Sequence, residues 1–361
     1  MARITLHDVA RHAGVSPSTV SCALRNDANV TPATRARIQA VAMEMGYQPD
    51  PVLSALGARR FKRKQEGAGA GLVYLYRMEA GVRFTQFSYE RELTLAGSSE
   101  GYHVQLEDFD TITSFPSRLR KWYNTGVRGV VIAKQMRLPE FPPELWNPFC
   151  VVTIGGGESN LFHNVHDDVQ YNLQECFSQA HQLGYKKIGV ALEAHPTPIA
   201  DDITRLGVAR CLLEAHGSDI PFFCRPFRQN DGFLDWYHKY RPELVIGFTA
   251  GRYLWLLEEA GIQVGKEVAF CAAGNVEAIV DRAKGLSKDE VSGVCENAAL
   301  MARMCVQKLE ALYRLGEQGV SLQPTRTVIP GIWRAGNTMP SAEVIRQFRN
   351  IPKGFQCPGR A

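Results

Sequence analysis

The stretch Ser16-Pro17-Ser18-Thr19-Val20-Ser21-Cys22-Ala23-Leu24-Arg25 concentrates the short polar side chains of this chain. Hydroxyls on short stems donate and accept hydrogen bonds while letting their backbone come close to a polar surface. That is a chemistry of binding. Constellations for catalysis are missing elsewhere. No GxSxG elbow, HExxH pair or phosphate-binding GxxxxGK[ST] run occurs, and Gly155-Gly156-Gly157 reads as a plain turn. His163 and His166, beside Asp167 and Asp168, read as loop histidines next to a helix-capping Asp, and His195 and His216 as loop residues. The nine cysteines form no CxxC pair and no zinc-like Cys/His cluster, so reduced thiols, no metal, no cofactor and no enzymatic role are expected.

Three helices must position the polar stretch. Thr5 with Asp8 three residues on opens the first, whose apolar face is Leu6, Val9, Ala10 and Ala13, and Gly14 ends it. Ser16-Pro17 starts the second, with Val20, Ala23 and Leu24 facing inward. Thr31-Pro32 repeats the device for a third helix burying Ile38, Val41, Ala42 and Met45, stopped by Gly46. Two helices joined by a glycine turn and closed by a third make a helix-turn-helix plan. A recognition helix needs small side chains near its N-terminus to enter a major groove, and the second helix has them.

Charge points the same way. Residues 1–64 carry ten basic and four acidic side chains, a net of +6, whereas the other 297 carry 31 and 33. Such asymmetry suggests an anionic partner for the basic part. Five of the ten cations lie in Arg59-Arg60-Phe61-Lys62-Arg63-Lys64, ahead of the flexible Gly67-Ala68-Gly69-Ala70-Gly71. No apolar run reaches the ~18 residues of a membrane span and no secretory leader is visible, so a cytoplasmic protein without a membrane partner is expected.

The run from Ile4 to Arg60, with Thr5, Leu6, Asp8, Val9, Ala10, Ala13, Gly14, Val15, Ser16, Thr19, Val20 and Ser21 at its centre, resembles the DNA-binding headpiece of the LacI/GalR family of bacterial transcription regulators. The likeness continues through Val30, Thr34, Arg35, Gly46, Tyr47 and Pro49. It implies that Pro17, Ser18 and Cys22 read bases, with Arg25 one turn on. It also implies that Thr5, Leu6, Ser16, Thr19, Ser21, Asn29, Thr31, Thr34 and Tyr47 contact phosphates or fix register. Cys22 stands where the family usually has Arg, so the bidentate reading of guanine is not expected here. Asp50-Pro51 starts a segment that is too short for a helix stable alone. In the family this hinge folds in the minor groove, which gives Leu56 the role of wedge, with Leu53 and Ser54 beside it and Arg59 and Arg60 on phosphates.

From Gly71 apolar runs at 71–76, 102–108, 129–134, 149–154, 187–192, 243–248, 268–273 and 327–333 alternate with helical stretches, the signature of parallel α/β sheets. This part resembles the family's two-lobed, periplasmic-binding-protein-like domain, with the chain crossing between lobes near 168, 295 and 325. The expected fold is thus an all-α helix-turn-helix headpiece (1–49), a hinge and linker (50–70), a two-lobed α/β effector and dimerisation domain with parallel sheets (71–340), and a tail (341–361). The resemblance implies a homodimer on a pseudopalindromic operator, governed by a small, possibly carbohydrate-related effector between the lobes. The sugar-binding signatures of the family are thin here, leaving Arg77, Arg205 and Asn275 as effector candidates. The alternative is an effector-independent or protein-regulated DNA binder with a degenerate pocket.

Overall fold

The computed structural model describes residues 4–24, 30–47, 71–77, 84–133, 142–156, 161–196, 198–226, 229, 231–248, 250–274 and 290–350. Helices α1 (Leu6–Ala13), α2 (Pro17–Leu24) and α3 (Pro32–Glu44) form the N-terminal bundle. Its core is Val9, Ala10, Ala13, Val20, Ala23, Val30, Ile38 and Ala42, all buried, with Leu6, Val15, Cys22, Leu24, Val41, Met45 and Tyr47 packed around it. Thr5 and Asp8 form a reciprocal capping box, and Gly14 takes a φ of 65°, the left-handed conformation that ends α1 without Cβ strain.

The rest of the described chain builds two sheets. In the first, β1 (Gly71–Tyr76), β2 (His103–Asp108), β3 (Val127–Ile132), β4 (Cys150–Ile154), β5 (His163–Asp167) and β11 (Arg326–Ile329) lie in the order β11-β5-β4-β3-β1-β2. All its pairings are parallel. In the second, β6 (Ile188–Ala194), β7 (Phe223–Pro226), β8 (Leu244–Gly247), β9 (Ala269–Ala272), β10 (Gly293–Cys295) and β12 (Ile332–Arg334) lie in the order β12-β10-β9-β8-β6-β7. Only β10 and β12 pair antiparallel. Parallel neighbours need long crossovers, and helices supply them.

Helix α4 (Phe84–Ser99) and α10 (Ala298–Leu315) cover one face of the first sheet. Tyr89, Leu93, Met301, Cys305 and Leu309 pack there on Leu72, Tyr74, Val131 and Val152. Helix α5 (Phe115–Asn124) covers the other, setting Leu119 and Trp122 against Val73, Leu75 and Val130. On the second sheet, α6 (Val169–Gln182) and α7 (Ala200–His216) pack on one face, α8 (Phe233–Tyr240) and α9 (Ala250–Glu259) on the other. Strands buried on both faces read as continuous apolar runs, which is why Gly71–Tyr76 and Ile188–Ala194 stand out in the sequence.

The chain passes between the lobes three times. The first passage is at Asp168, whose carboxylate caps α6 by accepting the Tyr171 N–H at 2.9 Å. The second is at Glu296-Asn297, where Asn297 caps α10. The third falls at Pro330-Gly331, a little after the expected position near 325, and the Gly331 N–H donates to Asn172 Oδ1 at 3.0 Å. The apolar run 327–333 is therefore not one strand. Pro330 and Gly331 divide it into β11 and β12 of different sheets. Helix α11 (Ala342–Asn350) docks on the second lobe, burying Ala342 and Ile345 and placing Arg346 Nε 2.7 Å from Glu243. No described helix is long and apolar enough to cross a membrane.

Candidate nucleic-acid interface and interlobe cleft

The N-terminus of α2 gathers hydroxyls. Ser16 Oγ accepts the Thr19 N–H at 3.1 Å and lies 2.7 Å from Ser18 Oγ and 2.8 Å from Thr19 Oγ1. Ser16 and Ser18 are exposed, with Pro17, Thr19, Ser21 and Cys22 half-buried. Backbone N–H groups at a helix N-terminus and aligned hydroxyls suit phosphate oxygens. Helix α3 braces this element from behind: Arg37 Nη1 donates to the Ala13 carbonyl at 2.9 Å and Gln39 Nε2 to the Ala23 carbonyl at 3.2 Å. Thr31 is exposed and caps α3 by accepting the Thr34 N–H at 3.4 Å. Thr5 is exposed at the start of α1, while Leu6 and Tyr47 pack partly on the headpiece core. The recognition candidates Arg25 and Asn29, the hinge candidates Leu53, Ser54 and Leu56, and Arg59 and Arg60 lie outside the described residues, as does Asn275.

Within each lobe, polar side chains hold one another. Arg205, in α7, is buried; its Nη2 donates to Asp202 Oδ1 at 2.6 Å and to the Glu193 carbonyl at 2.8 Å, and its guanidinium lies 4.1 Å from the Phe248 ring centre. Burial lowers its pKa, against the opposing charges of Asp202, Asp201 and Asp167. Asp202 also accepts the N–H groups of His195 and Ile199, at 2.9 and 3.2 Å. Buried Glu193 meets Arg252 at 3.3 Å. Tyr89 donates to Glu296 at 2.6 Å, tying α4 to the second passage. Arg77 pairs with Asp110 at 2.9 Å and lies over the Phe109 ring.

The two histidines are strand residues, not loop residues. His163 and His166 sit buried on β5, and His216 ends α7. His163 reaches Glu317 at 2.8 Å through Nε2 and Thr325 at 2.9 Å through Nδ1. His166 Nε2 lies 2.9 Å from Asp201 Oδ1, and its Nδ1 meets the Asp167 carbonyl. No group of His, Cys, Asp and Glu able to hold a metal occurs among the described residues.

Residues 5–50 match the model of the family described as bacterial regulatory proteins, lacI family. This segment is thus a lacI-family headpiece. The maltose regulon regulatory protein MalI of Escherichia coli K12 is 34% identical over 137 residues, which is 36% of this chain and 36% of that relative. The regulator GalS of Salmonella typhimurium is 45% identical over 56 residues, 16% of each chain. The chain thus spans well under two thirds of the curated relatives it matches.

Solved lacI-family structures share the fold over nearly the whole chain. The CelR–cellobiose complex has a TM-score of 0.56 at 19% identity, covering 93% of this chain and 100% of that one. The Lac repressor dimer bound to operator and the anti-inducer ONPF has a TM-score of 0.53 at 16% identity, covering 94% and 100%. The helix-turn-helix headpiece and two-lobed parallel α/β architecture read from the sequence are therefore its fold. Sequence reasoning read Gly156 only as part of a turn and His166 as a loop residue, and it missed Asp201, Glu193 and Arg252. Only a contact map pairs such distant positions, and no local pattern carries that signal.

Proposed function

We propose that the chain is a sequence-specific transcriptional regulator, a repressor in sign, that binds a pseudopalindromic operator as a homodimer in the bacterial cytoplasm. The observation that carries this reading is the lacI-family headpiece over residues 5–50, with its hydroxyl-lined α2 braced by α3. Pro17, Ser18, Cys22 and Arg25 face base edges. Thr5, Leu6, Ser16, Thr19, Ser21, Asn29, Thr31, Thr34 and Tyr47 position the headpiece on phosphates. Leu53, Ser54 and Leu56 enter the minor groove, and Arg59 and Arg60 add phosphate contacts. A two-fold protein reads a two-fold site. The two-lobed part, residues 71–340, carries dimerisation and a small-molecule effector between the lobes, with Arg77, Arg205 and Asn275 as candidate contacts.

A gel-shift titration on sites selected from a random DNA pool tests the DNA reading. Binding should weaken linearly in log affinity against log salt, by about 0.9 for each phosphate contact. Binding that is absent at low salt overturns it.

One observation favours a second reading, an effector-independent or protein-regulated binder: Arg205, Asp202, Glu193 and Arg252 are engaged with each other. Thermal shift across a metabolite panel separates the two, since an effector that binds only the folded state raises the melting temperature.

A further inference from the structure

We propose that Asp201, seated in a notch at Gly156 against His166, is an interlobe latch that holds the two lobes together without a bound effector. Gly156 follows β4 and His166 lies on the adjacent β5, so both belong to the first lobe. Asp201 lies in the first turn of α7, on the second lobe. The contact at His166 Nε2, 2.9 Å from Asp201 Oδ1, therefore spans the division between two sheets.

The notch is shaped for a carboxylate. A Cβ built on Gly156 would sit 1.6 Å from Asp201 Oδ2 and 2.8 Å from its Cγ, with His166 Nε2 at 3.2 Å. The backbone there is not in the left-handed region, so glycine serves close approach and not an unusual φ. Any side chain at position 156 pushes Asp201 out.

The imidazole is held for the same purpose. Both ring nitrogens face oxygen acceptors, the Asp167 carbonyl at Nδ1 and the Asp201 carboxylate at Nε2. Only the cation donates from both nitrogens. Burial opposes that charge, but the bond to Asp201 and the charges of Asp167 and Asp201 override it and raise the pKa. A charge-assisted bond in a largely desolvated setting is among the stronger single contacts available between lobes. Behind Asp201 stand Asp202 and Arg205 on the same helix, so the latch continues into the ion pairs of the second lobe. A ligand between the lobes shifts their arrangement by its differential affinity for the latched and unlatched forms. That consequence for DNA rests on the regulator reading above; the latch itself does not.

Hydrogen–deuterium exchange of the full chain tests it. Asp201→Asn keeps the shape and removes the charge; Gly156→Ala keeps every charge and fills the notch. Each should speed exchange about tenfold or more on both sides of the division, at the end of β4 and the start of α7, as expected for losing a hydrogen bond to a charged group. Peptides within α5, remote from the contact, serve as the unchanged reference. Wild-type exchange at both places in the folded variants overturns the latch. Should one variant fail to fold, the other carries the test, because the two act from opposite lobes by different means. Faster exchange in both variants, combined with a wild-type chain that binds no operator, would remove the regulator reading and leave the latch standing.

Discussion

Arg205 and Asp202 form an ion pair of 2.6 Å in which the side chains are only 4% and 1% exposed. Both lie on α7, one turn apart, and the arginine also ties the helix to the end of β6 through the Glu193 carbonyl. A pair this deep is held by its own second lobe.

Removing one partner leaves the other charge buried. Arg205→Met should therefore destabilise the folded chain by about 3–5 kcal/mol, the usual cost of orphaning a buried ion. Urea denaturation checks this. A midpoint equal to wild type, with only effector affinity reduced, would show that Arg205 acts as a ligand contact and not as a brace.

Cys22→Arg restores the guanidinium usual in the family at a half-buried position on α2. Selection from a random pool should then return guanine at the facing half-site position, with discrimination of about 1–3 kcal/mol. The wild-type chain should show no such guanine. Selected sites that are identical for the two proteins would mean that position 22 does not face a base.

The raised pKa of His166 sets a pH signature. Burial opposes its charge, and Asp201 and Asp167 favour it, with Arg205 and Asp202 flanking from α7. A pKa raised on folding contributes stability that is complete below the ordinary value of 6.5 and is lost as pH rises through the raised value. The melting-temperature gap between wild type and His166→Gln should be widest in mild acid and shrink as pH rises through the raised value. A gap that widens with rising pH would contradict the charged assignment.

Helix α11 is fastened chiefly by arginines. Arg346 bonds Glu243 at 2.7 and 3.0 Å, and Arg349 reaches the carbonyls of Glu267, Arg241 and Pro242. Burial tends to raise the Glu243 pKa, but the bonds from Arg346 and from the Lys186 and Lys187 N–H groups bring it down. Arg346→Met should lower the urea midpoint by an amount worth about 1–3 kcal/mol without changing the slope, because a largely buried carboxylate loses its charged donor.

Caps and apolar strands were legible because their signals are local. Thr5, Ser16 and Thr31 each precede a helix and do cap it. The strand β5, reading His-Asn-Val-His-Asp, was not visible, since polar residues are depleted in strands and only tertiary burial keeps these there. Helix α8, Phe-Leu-Asp-Trp-Tyr-His-Lys-Tyr, was missed because its aromatic richness does not read as helical. At the tail, a short helix buries just Ala342 and Ile345, too little apolar pattern to announce that it docks. The pairs His166–Asp201 and Glu193–Arg252 join side chains 35 and 59 residues apart, and nothing in a linear pattern specifies them.

The threefold passage between lobes has a consequence for synthesis. Helix α10 and strand β11 complete the core and edge of the first lobe, yet they leave the ribosome only after the second sheet has been made as far as β10. A nascent chain stopped at Asp168 would present the apolar face that Met301, Cys305 and Leu309 later cover. The first lobe is thus not a separable N-terminal fragment, and the two lobes mature together.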